Sequence, residues 1–318
     1  MKKLIIDTDG FTDDISALLL ALTDRDANVL AITTVTGSYD IDIVQVIGNV
    51  SRTRKLVNRT KVPIYKGSNG ALMPGLTRVT GSFAHGTDGI GDRPDVDPKL
   101  MPDDLKAFVK DEPAASCLVN LAAKHKGEIT LVCLGPLTNI AVALKLDPNF
   151  GSNIKEVHLM GGGLGVGNVT TTAEYNFYAD PEAAFIVLAE MRCAVTIAPW
   201  NLVVDLRDKL KKDPLLRLDM HLSMDTPISR FLSFISGMNN RFGRGFCDEI
   251  AVAAALNPAV IMESKKIGAT IELQGRESRG QLIASTKSFP YQQNVCVITN
   301  YDVALLCKMM SDLVKYKG

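Results

Sequence analysis

The feature that most restricts this chain is a rhythm of short aliphatic runs separated by segments of helix length. Leu4–Ile6, Val29–Val35, Val62–Tyr65, Ile129–Leu134, Val157–Met160 and Ala194–Ala198 are continuous enough to be strands buried on both faces. Between them, Asp13–Leu22, Ile41–Leu56, Ala114–Lys124, Asn139–Leu146 and Pro181–Met191 carry amphipathic patterns, with Pro181 at a favourable first-turn position. Such alternation specifies βαβ units, and so an α/β fold with a mostly parallel, Rossmann-like central sheet flanked by helices. Lys266–Gln274, Gln281–Ala284 and Val295–Thr299 read as C-terminal antiparallel strands, followed by a closing helix near Val303–Val314. Two segments break the rhythm. Gly67–Glu112 is a long loop rich in Gly, Pro and Asp, a length that usually serves function, and Pro214–Arg244 has the pattern of a helical flap. With no low-complexity linker and no repeat at solenoid periods, residues 1–318 are expected to form a single domain.

Composition narrows the function. Lys plus Arg (35) balance Asp plus Glu (35), which removes the positive field that nucleic-acid or anionic-membrane binding draws on. No aliphatic block approaches the roughly 18 residues of a membrane span, and Leu4–Ile6 is too short for the core of a signal peptide. Cys117, Cys133, Cys193, Cys247, Cys296 and Cys307 lack CxxC spacing, so the expectation is a reducing, cytoplasmic setting without a zinc site.

The first strand runs directly into Asp7-Thr8-Asp9-Gly10-Phe11-Thr12-Asp13-Asp14, after which a helix begins at Ile15. Four carboxylates therefore stand at the carboxyl end of a strand, where open α/β sheets place their ligands. Two readings of these acids stand side by side. In one, Thr12 or Asp13 caps the helix and the other acids are solvated. In the other the carboxylates converge, and two like charges about 4 Å apart cost about 4 kcal/mol at an effective dielectric of about 20, so a cation or a shared proton must join them. An all-oxygen donor set selects Ca²⁺ or Mg²⁺ over zinc.

At this point the chain resembles the inosine-uridine-type nucleoside hydrolases. DTDGFTDD is similar to the family's DTDPGxDD opening. His85–Gly91 is similar to its HGxxGLG loop, and Leu134–Asn139 to its TGPLTN turn. Met160-Gly161-Gly162, Gly167-Asn168, Ala173–Asn176 and Asp180–Ala184 follow its MGG…GN…AEFN…DPEAA block, and Asp248 closes the series. The resemblance implies hydrolysis of the N-glycosidic bond of ribonucleosides by a water on one Ca²⁺ per chain, through an oxocarbenium-like transition state. It implies Asp9, Asp14, Asp248 and the Leu134 carbonyl as metal ligands, and Asp9 also as general base. Asp13 would take the ribose 2′-hydroxyl, Asn168 and Glu174 the 5′-hydroxyl, and Asn176 the 3′-hydroxyl. Met160 would floor the sugar pocket, and the molecule would be a homodimer or homotetramer.

Three departures from that pattern bear on chemistry. Gly10-Phe11 replaces Pro-Gly, Ser38 stands where many members carry a substrate-binding asparagine, and Cys247 replaces a histidine that often protonates the leaving base. Candidates for the base side are His85, Cys247 and Arg244, with Arg241 and Tyr175 as alternatives. His125, His158 and His221 carry no motif and read as structural or exposed, and Trp200 reads as packing at a strand end. Two rivals remain. One is a haloacid-dehalogenase-type phosphatase, which the Asp7-Thr8-Asp9-Gly10 opening also resembles, with Asp7 as nucleophile and Asp9 as acid/base. The other is a nucleoside- or sugar-binding protein without catalysis.

Overall fold

Strand β1 (Lys2–Thr8) is buried from Leu4 onward, and in the computed structural model it lies in the interior of a ten-stranded sheet. The described residues are 1–76, 79–93, 97–99, 109–212, 220–236, 245–285 and 295–317. The other strands are β2 (Ala27–Thr36), β3 (Ile64–Asn69), β4 (Val109–Lys110), β5 (Ile129–Cys133), β6 (Glu156–Met160), β7 (Ala194–Ala198), β8 (Ile261–Ile271), β9 (Leu282–Ser285) and β10 (Val295–Tyr301). Their order is β4-β3-β2-β1-β5-β6-β7-β10-β8-β9. Every pair from β4 to β10 is parallel, and only β10–β8 and β8–β9 are antiparallel.

Because side chains alternate across a strand, the apolar run of β1 feeds two cores. Leu4 and Ile6 join the cluster with Ile15, Leu18 and Val252, while Ile5 joins the opposite one with Leu131, Ala141 and Val157. The helix Thr12–Thr23 and the helix Asp248–Leu256 share the first face, and Thr138–Leu146 and Pro181–Glu190 cover the second. No helix among the described residues is long and apolar enough to cross a membrane.

The α/β class and the mostly parallel sheet are as the sequence reading has them. The C-terminal antiparallel strands are present as well: Val295–Thr299 lies in β10, which is antiparallel to β8, and it also pairs in parallel with β7. Strand β10 is thus shared between the parallel sheet and the C-terminal strands. In Gly67–Glu112 the sheet gains the end of β3 and the two-residue β4, and a helical turn forms at Ser82–His85. In Pro214–Arg244 the described part is a 3₁₀ turn, Met220–Ser223, and the helix Pro227–Ile235.

The position of β1 determines where a ligand can sit. The chain winds outward from β1 through β2, β3 and β4, then returns and winds the other way through β5, β6 and β7. The carboxyl ends of β1 and β5 therefore flank the switch point of the sheet, where the following loops diverge and leave a crevice. Asn139 pins these strands together: its amide donates to Asp7 (2.7 Å) and to the Thr34 carbonyl (2.9 Å), and its oxygen accepts from the Ser68 backbone (2.9 Å). A Cβ at Gly67 would lie 2.3 Å from the Asn139 oxygen, so only glycine lets β3 pass this bolt.

Candidate active site

The loop after β1 is shaped by one of its own acids. Asp14 accepts hydrogen bonds from the Thr8 hydroxyl and from the backbone N–H groups of Asp9 and Phe11, the latter two at 3.2 and 3.3 Å. The capping carboxylate of the helix is therefore Asp14, three positions after Phe11, and neither Thr12 nor Asp13. Gly10 turns the loop at φ +66°, a left-handed conformation that side chains resist. Phe11, the departure from Pro-Gly, is buried and stacks on His85 (centroids 4.8 Å apart, 19° between planes) with its edge toward Tyr175.

Above this loop opens a cavity of about 1010 Å³. Asp9, Asp13, Asp14, Leu134, Met160, Asn168, Glu174, Asn176, His85, Cys247 and Asp248 all line it, so residues up to 239 positions apart meet in one space, Asp9 to Asp248. Single carboxylate oxygens of Asp13, Asp14 and Asp248 lie within 4.8 Å of one another. Asp248 reaches the cluster from the first turn of its helix, and Asp9 borders it from the β1 end. Burial pushes the carboxyls of Asp9 and Asp248 well above the usual range, and repulsion from Asp14 adds to it in both. Burial likewise raises Asp13, opposed by His85, whose Nδ1 lies 3.7 Å from its carboxylate. Carboxylates that resist ionising together are the donor set a hard divalent cation would neutralise, and all donors are oxygen, so the residues fit such an ion.

The opposite wall comes from the segment after β6. Glu174 accepts from the backbone N–H groups of Gly162 (2.8 Å), Asn176 (2.9 Å) and Phe177 (3.3 Å), capping the short helix Tyr175–Ala179. Burial outweighs those bonds and raises its carboxyl to about 7. Asn176 donates to the carbonyls of Leu134 (2.7 Å) and Met160 (3.1 Å), which ties this wall to the ends of β5 and β6. Asn168 uses its oxygen for the Tyr175 backbone, at 2.8 Å.

One expectation meets a different geometry. Ser38 does not line the cavity: its hydroxyl donates to Asp40 and accepts from the Gly81 backbone (2.8 Å), a network that anchors the Ser82–His85 turn. Trp200 packs against the core as read and His221 is buried against Phe246, and both in addition line the cavity. Arg244 and Arg241 lie outside the described residues. Cys247 is at the cavity beside Asp248, where burial and then the Asp248 charge push its thiol well up, so it remains protonated.

Sequence reasoning also missed Arg207. Trp200, just before the helix Asn201–Lys212, and Val203, Val204 and Arg207 within it recur at i, i+3, i+4 and i+7, and all four line the cavity. That spacing, directly after β7 and so at another strand's carboxyl end, was the available signal. The phosphatase reading fails on Asp7. Its carboxylate is fully buried, accepts from Thr33 (2.6 Å) and Asn139 (2.7 Å), and is absent from the cavity wall, so it cannot reach a substrate there.

Residues 4–308 match the family model of the inosine-uridine preferring nucleoside hydrolases. The chain is 34% identical to the inosine-uridine preferring nucleoside hydrolase of Crithidia fasciculata over 296 residues, 90% of this chain and 89% of that protein. Among solved structures, an inosine-guanosine nucleoside hydrolase superposes with a TM-score of 0.86 at 28% identity, covering 100% of both chains. A purine-preferring ribonucleoside hydrolase from Gardnerella vaginalis superposes at 0.84 with 27% identity, over 99% of this chain and 100% of that one. The chain belongs to the nucleoside hydrolase family, and its activity is hydrolysis of the N-glycosidic bond of ribonucleosides.

Proposed function

We propose that this chain cleaves ribonucleosides to ribose and free base with the help of a bound Ca²⁺, Asp9 serving as general base. The observation that carries the reading is the convergence of Asp13, Asp14 and Asp248 opposite Asn168, Glu174 and Asn176 in one cavity. Asp9, Asp14, Asp248 and the Leu134 carbonyl would hold the ion. When bound, Ca²⁺ supplies the positive charge that neutralises these acids and lowers the pKa of water. Asp9 takes the proton from the attacking water, and Asp13 orients the 2′-hydroxyl. Glu174 and the amides of Asn168 and Asn176 meet the remaining hydroxyls, since together they offer both donors and acceptors. Fixing the sugar in this way places C1′ against the water, and the surrounding anionic oxygens stabilise the positive charge that develops there. Ser38 has no part in this reading.

The same proposal treats residues 1–318 as one functional domain acting as a cytoplasmic homodimer or homotetramer on small molecules, with no nucleic-acid or membrane partner. Its six cysteines are unpaired, as a reducing compartment would keep them. The test is ribose release from inosine, adenosine, guanosine, uridine and cytidine, with Ca²⁺ and after exhaustive chelation, alongside p-nitrophenyl phosphate. Ribose from at least one nucleoside, lost on chelation and restored by Ca²⁺, is the expected result. Full activity after chelation would sink the metal assignment, and ribose from none of the five would sink the substrate class.

A further inference from the structure

Among the described residues lining the cavity, Arg207 is the only Lys or Arg, and it stands on the helix after β7, whereas the acids of the loop follow β1. Its guanidinium lies 5.1 Å from the centre of the Trp200 ring, which holds the fork in place by a cation–π contact. Its Nε is buried without a hydrogen-bond partner, and no carboxylate pairs with the guanidinium among the described residues. A guanidinium with no protein acceptor keeps its donors for a ligand in the cavity that it lines. Cys247, the residue preceding Asp248, lies within electrostatic reach of Arg207 and lines the same cavity.

We propose that Arg207 is the residue that recognises the leaving base, taking a 6-oxopurine by a two-pronged hydrogen bond to O6 and N7. The proposal rests on the nucleoside hydrolase reading of the site above. If the sugar occupies the acidic end, the heterocycle extends toward Trp200 and Arg207. A guanidinium matches the paired acceptors O6 and N7 of hypoxanthine and guanine, whereas adenine offers a donor in place of O6. As the C1′–N bond breaks, its electron pair passes to the base, and the negative charge spreads over the ring and onto O6. Arg207 stabilises that charge by hydrogen bonding while keeping its own proton. The departing base takes its proton from solvent, and water supplies the hydroxyl that ends on C1′. Leaving-group activation thus needs no acid at position 247.

The test compares kcat/KM for inosine, guanosine, adenosine and p-nitrophenyl riboside in the native chain, Arg207→Met and Arg207→Lys. With Arg207→Met, inosine and guanosine should fall about 10- to 100-fold, the worth of one two-pronged contact, adenosine, which offers N7 alone, should fall several-fold less, and p-nitrophenyl riboside, which offers neither acceptor, by less than about threefold. Arg207→Lys should recover only part of the loss, because an ammonium lacks the fork. Equal losses on inosine and adenosine, or no loss on inosine, would overturn the assignment. Should the variants melt far below the native chain, purine riboside, which lacks O6, gives the same test on the native chain. It should be cleaved at least about tenfold less efficiently than inosine, and equal rates would overturn the proposal. Absence of ribose release from every nucleoside by the native chain would instead refute the hydrolase reading itself.

Discussion

The two ends of the cavity are built in opposite ways. At the acidic end, side chains are clamped by backbone groups: Asp14 by two N–H groups of its own loop, Glu174 by three, and Asn176 by the carbonyls ending β5 and β6. At the Trp200–Arg207 end, the walls are faces of the helices Asn201–Lys212 and Pro227–Ile235 together with the turn at Met220–Ser223, and the lining mixes Trp200 and aliphatic side chains with Ser223, Ser233, His221 and Arg207. The contrast separates two duties. Groups that must hold geometry to fractions of an ångström are fixed to strand ends, and groups that choose a partner sit on helices whose side chains can change without disturbing the sheet.

The sharpest way to break this contrast is to remove an acid from the clamped end. Asp14→Ala should abolish turnover by at least about 10³-fold and lose Ca²⁺ binding, measured by ribose release and by titration calorimetry. Retained Ca²⁺ binding would show that Asp14 serves the loop alone. Next in size, Asn176→Ala should lower kcat/KM on inosine by about 100-fold while leaving the loss on 3′-deoxyinosine much smaller, since the contact it removes is already missing there. Equal losses on both nucleosides would assign Asn176 to tying β5 and β6 rather than to the sugar.

A third experiment addresses the buried acids through stability. Burial raises the Asp7 carboxyl from 3.8 to about 7 in the folded chain, so the native state binds its proton more tightly than the unfolded state does. The stability this contributes is complete below about pH 4 and is lost as pH rises through about 7. In chelator, the melting temperature should therefore fall between pH 5 and pH 8, and Asp7→Asn should flatten that fall. A slope unchanged by Asp7→Asn would place its origin in the other buried acids, Glu174 and Glu249, whose carboxyls burial also raises to about 7, together with Asp9, Asp13 and Asp248. The smallest effect is expected at Cys247. Because its thiol remains protonated and fills space, Cys247→Ala should slow inosine and p-nitrophenyl riboside together, by less than about threefold. Selective loss on inosine would make the thiol part of leaving-group activation.

Most of the acidic end was legible in the sequence because its residues are either contiguous, as from Asp7 to Asp14, or follow the ends of strands that announce themselves as aliphatic runs; Asp248, in the first turn of a helix, was reached only through the family resemblance. The sheet was legible for the same reason. The other end was not, because Trp200, Val203 and Val204 at helical spacing read equally well as core, and only the direction of the helix decides that they face a cavity. Ser38 misled in the opposite sense. Its place in the chain matches a substrate contact, but a hydroxyl this short is satisfied by Asp40 and Gly81 before it reaches the cavity. The parallel docking of β10 was hidden because a strand's partners lie outside its own sequence, and the run Val295–Thr299 carries no mark of strand direction.

That docking has a consequence for how the chain is made. Strand β10 sits between β7 and β8, so β7 acquires its outer neighbour only from residues 295–301. A chain emerging from the ribosome presents β8 and β9 first, yet neither pairs with β7. The growing protein must therefore carry an unsatisfied sheet edge at β7 until residues 295–301 appear, a hazard for association with other nascent chains. When β10 arrives it joins the parallel strands to β8 and β9 in a single event, after both of those strands have already emerged.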